Sequence, residues 1–213
     1  MPKYLLIALP GSIVGDMILS NAKKEQKAES GRNQVIAGWI ALAAVLIQLW
    51  GLYTRHVMVD FTISAALAAA FIALSWKDRS ISSGVGRLGF LLMLIGIAFD
   101  PVDGGITKDH CNLSYLFTTS GMAALTTGWM LMLETGFGMK GKFLAGVGQN
   151  PMIAYTITNF LIGPVLNLIG LLPVIYAAAE GSQFWGLTQG VAITLMMMGG
   201  TYLCTRLKLF WRS

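Results

Sequence analysis

The polar groups dense and varied enough to do chemistry lie in one stretch, residues 99–115, FDPVDGGITKDHCNLSY. It gathers Asp100, Asp103, Lys108, Asp109 and His110 around the flexible pair Gly104-Gly105, and it ends on Tyr115. An imidazole titrates near neutral pH, so His110 has the chemistry of a general base. The Lys108 ammonium can hold a phosphate or a carboxylate by charge-assisted hydrogen bonds. Asp103, Asp109 and Tyr115 complete a candidate substrate- or cofactor-binding mouth; the alternative is a solvated turn between two helices. A second polar set, Tyr155, Thr156, Thr158, Asn159 and Asn167, surrounds a Gly163-Pro164 break. Spacings of three and four place Thr156, Asn159, Gly163 and Asn167 on one helical face, lining a cavity or joining helices by hydrogen bonds. Ser114, Thr118, Thr119, Ser120 and Thr126 supply a similar face further up the chain.

These groups sit in a chain that is otherwise apolar. Of 213 residues, 55% are hydrophobic and 12% charged, and the mean hydropathy is +0.65. Soluble domains carry about 25% charged residues. Fifteen Lys and Arg against ten Asp and Glu leave a net +5, too little charge to coat a soluble globule. The excess is scattered in short loops between apolar runs, so it reads as membrane topology and excludes a nucleic-acid footprint. Cys111 and Cys204 are too few for a disulfide framework.

A bilayer core of about 30 Å takes roughly 20 helical residues. Seven apolar runs of that order occur, at 4–20, 35–53, 57–76, 85–99, 114–134, 151–172 and 184–205. The first run lacks a small-x-small cleavage site and reads as a retained span. Sorting the loops by side puts Lys23, Lys24, Lys27, Arg32, Lys77, Arg79, Arg87, Lys140, Lys142, Arg206, Lys208 and Arg212 together, and leaves Lys3, Arg55 and Lys108 opposite. Basic residues favour the cytoplasmic side. The expectation is an all-α polytopic transmembrane bundle of about seven spans, N-terminus outside and C-terminus cytoplasmic. No tandem repeat, low-complexity tract or long linker divides it, so residues 1–213 read as one helical domain.

Within that bundle, the Gly11/Gly15 step and the alanines at 65, 66, 68, 69 and 70 are expected to permit close helix packing, as are Gly121 and Gly128. Asp16 and Asp60 lie near span ends and read as reaching headgroups or a partner; Arg55 and His56 are candidate partners for Asp60. Asn150 precedes Pro151 and reads as a helix cap with proline at the first helical position. Met196, Met197 and Met198 read as packing or lipid-facing filler rather than a metal site. Asn112-Leu113-Ser114 is a glycosylation sequon. Zinc spacing, a Walker loop, GxSxG and a Rossmann glycine pattern are all missing from the sequence.

Four stretches, in order, carry a family likeness: LPGSIVGDMIL in the opening span; DGGITKDHCNLSYLFTTSGMA, with Lys108 shortly before Ser114-Tyr115; GVGQNPMIAY, with Gly148 and Asn150; and LKLFWRS, with Lys208, Phe210, Trp211 and Arg212. The chain resembles the C-terminal part of the heparan-alpha-glucosaminide N-acetyltransferase family and its bacterial relatives of unassigned activity. The likeness covers nearly all of these residues and about half of a family member. It implies acetyl transfer from acetyl-CoA to a sugar amine across the membrane, with no bound cofactor and acetyl-CoA as donor substrate. The family's catalytic histidine belongs to an N-terminal portion with no counterpart here, and neither His56 nor His110 matches it. The chain therefore reads as a fragment of a larger acyltransferase or as a remnant standing alone.

On that resemblance, Lys108 and the mouth contact the sugar or the CoA phosphates, and Asn150 is a motif residue as well as a cap. The expected setting is a bacterial inner membrane, and the expected partners are the bilayer and a sugar or glycan acceptor, with no nucleic acid and with a homo-oligomer open. Two readings of other classes stand beside it. One is a small-solute transporter, from the broken polar sixth span; the other is a structural membrane bundle, from the small-residue faces.

Overall fold

A computed structural model of the chain describes residues 5–22, 32–78, 80–107, 112–137, 141–180 and 183–211. The described residues are helical, with no strand among them. In a bilayer every backbone N–H and C=O must be satisfied within its own segment, which is what an apolar run achieves by coiling. Helices α1 (Leu5–Ala22), α2 (Arg32–Thr54), α3 (Val57–Ser75), α4 (Ile81–Asp103) and α5 (Leu113–Phe137) belong to one compact unit, Met1–Met139. The second unit, Lys140–Ser213, holds α6 (Lys142–Gly148), α7 (Pro151–Thr156), a π-helical turn (Ile157–Ile162), α8 (Gly163–Leu168), α9 (Leu171–Glu180) and α10 (Gln183–Arg206).

Six of the described helices are long and apolar enough to cross a membrane: Asn33–Thr54, Val57–Ser75, Ile81–Asp103, Leu113–Phe137, Pro151–Leu168 and Trp185–Arg206. The chain is an integral membrane protein by that composition. The opening run forms a shorter apolar helix, Ala8–Ser20, within α1. Trp39, Trp50, Trp76, Trp185 and Trp211 are all exposed. Trp129 is half-buried and meets Trp39 edge-on, ring centroids 6.1 Å apart.

The fourth span outruns its apolar sequence because both of its ends are polar. Ser80 caps it in extended conformation, its hydroxyl accepting from the Ser83 N–H at 3.3 Å. Gly104 ends it in the left-handed conformation (φ 74°).

The core of the first unit is Phe71, Phe90, Met93, Ile97 and Leu125 with three alanines of α2, Ala37, Ala41 and Ala44, and Ala68 of α3. Lipid tails are as apolar as these side chains, so helix association rests on close packing. The tightest packing joins α4 to α5. A Cβ on Gly121 would lie 2.4 Å from the Met93 backbone N and 2.7 Å from the Gly89 carbonyl oxygen, so only glycine lets the two backbones approach this closely. The Gly11/Gly15 step is not used this way: a Cβ at either position would meet nothing within 4 Å. Of the α3 alanines only Ala68 is buried. The hydroxyls of Thr119, Thr126, Thr127 and Thr135 each return to the carbonyl one turn back, which satisfies them without a second helix.

The second unit departs from the sequence expectation in two places. The helix starting at Pro151 widens into a π turn ahead of Pro164, which has no N–H to complete a normal turn. The buried side chains accordingly step from Ile157 to Ile162 to Leu166, by five and then four residues. The wide turn thus breaks the three-and-four spacing assumed for Thr156, Asn159, Gly163 and Asn167. Asn159 and Asn167 are exposed, while Thr156 and Gly163 are half-buried. Downstream, Gly170 (φ 71°) stops the span inside an apolar run, and its N–H bonds the Asn167 carbonyl at 3.0 Å. A separate helix, α9, then packs Leu172 and Ile175 against the Ile157–Ile162–Leu166 stripe.

Candidate functional site

The loop joining α4 to α5 is built from its carboxylates. Asp100 Oδ1 accepts the backbone N–H of Ile106 at 2.6 Å, while the Asp100 carbonyl takes the N–H groups of Gly104 and Gly105. Asp103, in the last turn of α4, accepts the Ser114 N–H at 2.8 Å, and so caps the first turn of α5 from eleven residues away. Asn112 staples the two sides together: its Nδ2 donates to the carbonyls of Asp103 (3.0 Å) and Gly105 (3.1 Å) and to Thr107 Oγ1 (3.4 Å). An asparagine engaged in this way is poorly suited to carry a glycan, which sets the sequon aside.

Asp103 thus has a structural task at the mouth, and Tyr115 stands half-buried in the first turn of α5. Lys108, Asp109 and His110, together with Cys111, lie outside the described residues. The described segments on either side, ending at Thr107 and resuming at Asn112, are the ones that Asp100, Asp103 and Asn112 pin. Below them, Ser114 and Thr118 are fully buried, and Ser114 Oγ, Thr118 Oγ1 and Ser120 Oγ have no hydrogen-bond partner. Gly96 of α4 packs directly on Thr118.

Arg55 joins the mouth instead of pairing with Asp60. It occupies the α2–α3 turn at φ 59°, and its Nη1 would stand 3.1 Å from a Cβ on Gly105. Asp60 is 2% exposed and forms no ion pair among the described residues, and His56 is exposed. Arg55 was not assigned to the mouth by sequence reasoning, since its placement depends on a contact between distant segments; Asn112 lies within the stretch 99–115, but its stapling role was not read. Asp16 lies exposed on α1.

At the opposite end of α3 and α4 a second polar network escaped the sequence reading. Asp78 accepts from Ser83 Oγ (2.6 Å), the Ser80 N–H (2.8 Å) and Ser80 Oγ (2.9 Å). Arg87 donates to the carbonyls of Ser75 and Asp78, and Gln34 Nε2 donates to Ser82 Oγ at 3.0 Å. Burial alone would push the Asp78 carboxyl up, but the hydrogen bonds from Ser83 and Ser80 and the Arg87 charge outweigh it and hold Asp78 below the usual carboxylate range. The available signal was local: a Ser-rich run immediately before an apolar helix is a capping sequence.

In the second unit Asn150 occupies the N-cap position with Pro151 following, as expected, but its side chain makes no capping bond. It is fully buried and grips the end of the chain instead. Nδ2 donates to the Leu209 carbonyl (2.8 Å) and to Thr205 Oγ1 (3.1 Å), and Oδ1 accepts the Trp211 N–H (3.2 Å). Thr205 in turn donates to the Gly146 carbonyl at 2.8 Å. Residues 146–150 and 205–211 are therefore one structural element. Asn159, the remaining candidate, is exposed and spends its amide on the Tyr155 carbonyl at 2.9 Å.

Among the described residues no group of three or more His, Cys, Asp or Glu side chains is arranged to hold a metal ion. Compared with protein-family models, with curated proteins and with solved structures, the chain matches none of them.

Proposed function

We propose that this chain is part of a membrane acyltransferase that moves an acetyl group from acetyl-CoA to a sugar or sugar-like amine, with the loop between α4 and α5 as its substrate mouth. The observation that carries the reading is the bracing of that loop. Asp100, Asp103 and Asn112 fix the segments flanking Lys108–Cys111, and Arg55 stands at the adjoining glycine turn. Arg55 at the glycine turn and Lys108, which follows Thr107 in the sequence of the same loop, would supply two cations for the phosphates of CoA or an acidic sugar. The sequence likeness adds a second support, because two of its four stretches, 146–155 and 207–213, are tied together through the buried Asn150. Seven crossings, an outside N-terminus and a bacterial inner membrane complete the proposal.

The π turn and Gly163-Pro164 break favour a second reading, passage of a small solute, since broken helices line transporter sites. Binding of acetyl-CoA to the purified chain in detergent separates the two. The acyltransferase reading expects saturable binding that weakens at least tenfold in Lys108→Ala or Arg55→Ala. A chain that binds no acetyl-CoA, or binds it equally well in both variants, contradicts it.

A further inference from the structure

The first turn of α3 buries a carboxylate that no described Lys, Arg or His neutralises. Asp60 is 2% exposed, and the two side chains that interact with it, Gln48 of α2 and Ser64 one turn along α3, are fully buried. Gly51 of α2 lies directly against the carboxyl group, where a Cβ would fall 2.3 Å from Asp60 Cγ. Four polar atoms of this triad lack a hydrogen-bond partner: Gln48 Oε1 and Nε2, Asp60 Oδ1 and Ser64 Oγ. Buried amides and hydroxyls are nearly always paired, so unpaired atoms concentrated on three neighbouring side chains single this group out from the rest of the helix pair.

Charge sets what such a group can bind. An ionised carboxylate inside an apolar helix pair is strongly disfavoured unless a positive charge accompanies it. Toward Asp60, α2 contributes Gln48 and Gly51, both uncharged, and α3 contributes Ser64. Arg55 and His56 in the preceding turn are exposed, with Arg55 extended to Gly105. On α4 the buried carboxylate Asp100 is engaged by the Ile106 N–H.

We propose that Asp60, Gln48 and Ser64 form a binding site for one small monovalent cation, a proton or a sodium ion, which neutralises Asp60 within the α2–α3 pair. The two sources share one chemistry. Asp60 Oδ1, Gln48 Oε1 and Ser64 Oγ are hard oxygen donors, the class that coordinates hard cations. With a proton instead, the carboxyl O–H donates to Gln48 Oε1, while Gln48 Nε2 and Ser64 Oγ are left to donate to the other carboxyl oxygen. Sodium would use the three orphaned oxygens, and the proton would bring all four orphaned atoms into hydrogen bonds.

The test is thermal unfolding of the full chain in detergent, wild type against Asp60→Asn, in sodium and in choline buffers across pH. Asparagine keeps the shape and removes the charge. If sodium is the occupant, replacing choline by sodium raises the wild-type midpoint by several degrees and leaves Asp60→Asn unmoved. If a proton is the occupant, the midpoint ignores sodium and the gap between wild type and Asp60→Asn varies with pH. A gap that stays constant across both salts and all pH values overturns the proposal. Should Asp60→Asn fail to fold, Gln48→Ala removes one donor and keeps the carboxylate. The sodium concentration or pH at half-effect then shifts severalfold, and an unshifted response overturns the site.

Discussion

Asn150→Ala removes the clamp on the chain end, and the structure sets the size of the effect. Three hydrogen bonds disappear, but Thr205 Oγ1 keeps its bonds to the Gly146 and Thr201 carbonyls, so the real loss is the pair to Leu209 and Trp211. Leu209 and Trp211 are more than half exposed, which lets their backbone groups rehydrate once released. The cost is therefore about 1–3 kcal/mol, two net hydrogen bonds, rather than the larger penalty of orphaned buried groups. At about 1.4 kcal/mol per tenfold, the undocked tail becomes roughly 5- to 150-fold more populated. Limited trypsin digestion reads this directly, because cleavage after Lys208 requires the tail to open, and its rate follows the open population. Asn150→Asp loses both amide donors and places carboxylate charge against the Leu209 carbonyl, so it should open the tail at least as far. Equal cleavage rates in wild type and both variants would refute the clamp.

Gly121→Val should destabilise the first unit by about 1–3 kcal/mol or prevent its folding, because the added atoms meet the Met93 and Gly89 backbone rather than a movable side chain; a midpoint of thermal unfolding equal to wild type would count against the α4–α5 contact. Asp103→Ala should cost about 1 kcal/mol as a lost cap of α5, while Asp103→Asn, which keeps an acceptor, should cost only a few tenths; urea or thermal melts in mild detergent compare them. The Asp78 carboxyl is held below its unfolded range, so its stabilisation is complete above the ordinary carboxylate range near pH 4 and fades as pH falls through the lower folded value. Asp78→Asn should accordingly flatten the acid limb of the stability–pH curve, and an unchanged limb would remove Asp78 from the account.

Most helices were legible because a bilayer leaves an apolar run of about twenty residues few alternatives to coiling. Gly121 and Gly128 were likewise readable as contact points, since small residues are what helix pairs in lipid need. Gly11 and Gly15 carry the same motif without a partner against them, which spacing alone could not reveal. The stop at Gly170 was hidden by the apolar residues on both sides of it. The π turn was hidden because a missing N–H at Pro164 announces a break but not how the preceding residues absorb it. At the mouth, the polar residues were found and their tasks were not. Asp103 caps a helix eleven residues away, and Arg55 crosses to a glycine turn fifty residues on. Asp60 needs the register of α2 against α3 before Gln48 can be named beside it.

The most direct test of the central claim is binding of radiolabelled acetyl-CoA to sealed vesicles containing this chain. Saturable binding that Lys108→Ala weakens at least tenfold is the predicted result. No saturable binding, or equal binding by wild type and Lys108→Ala, would contradict it.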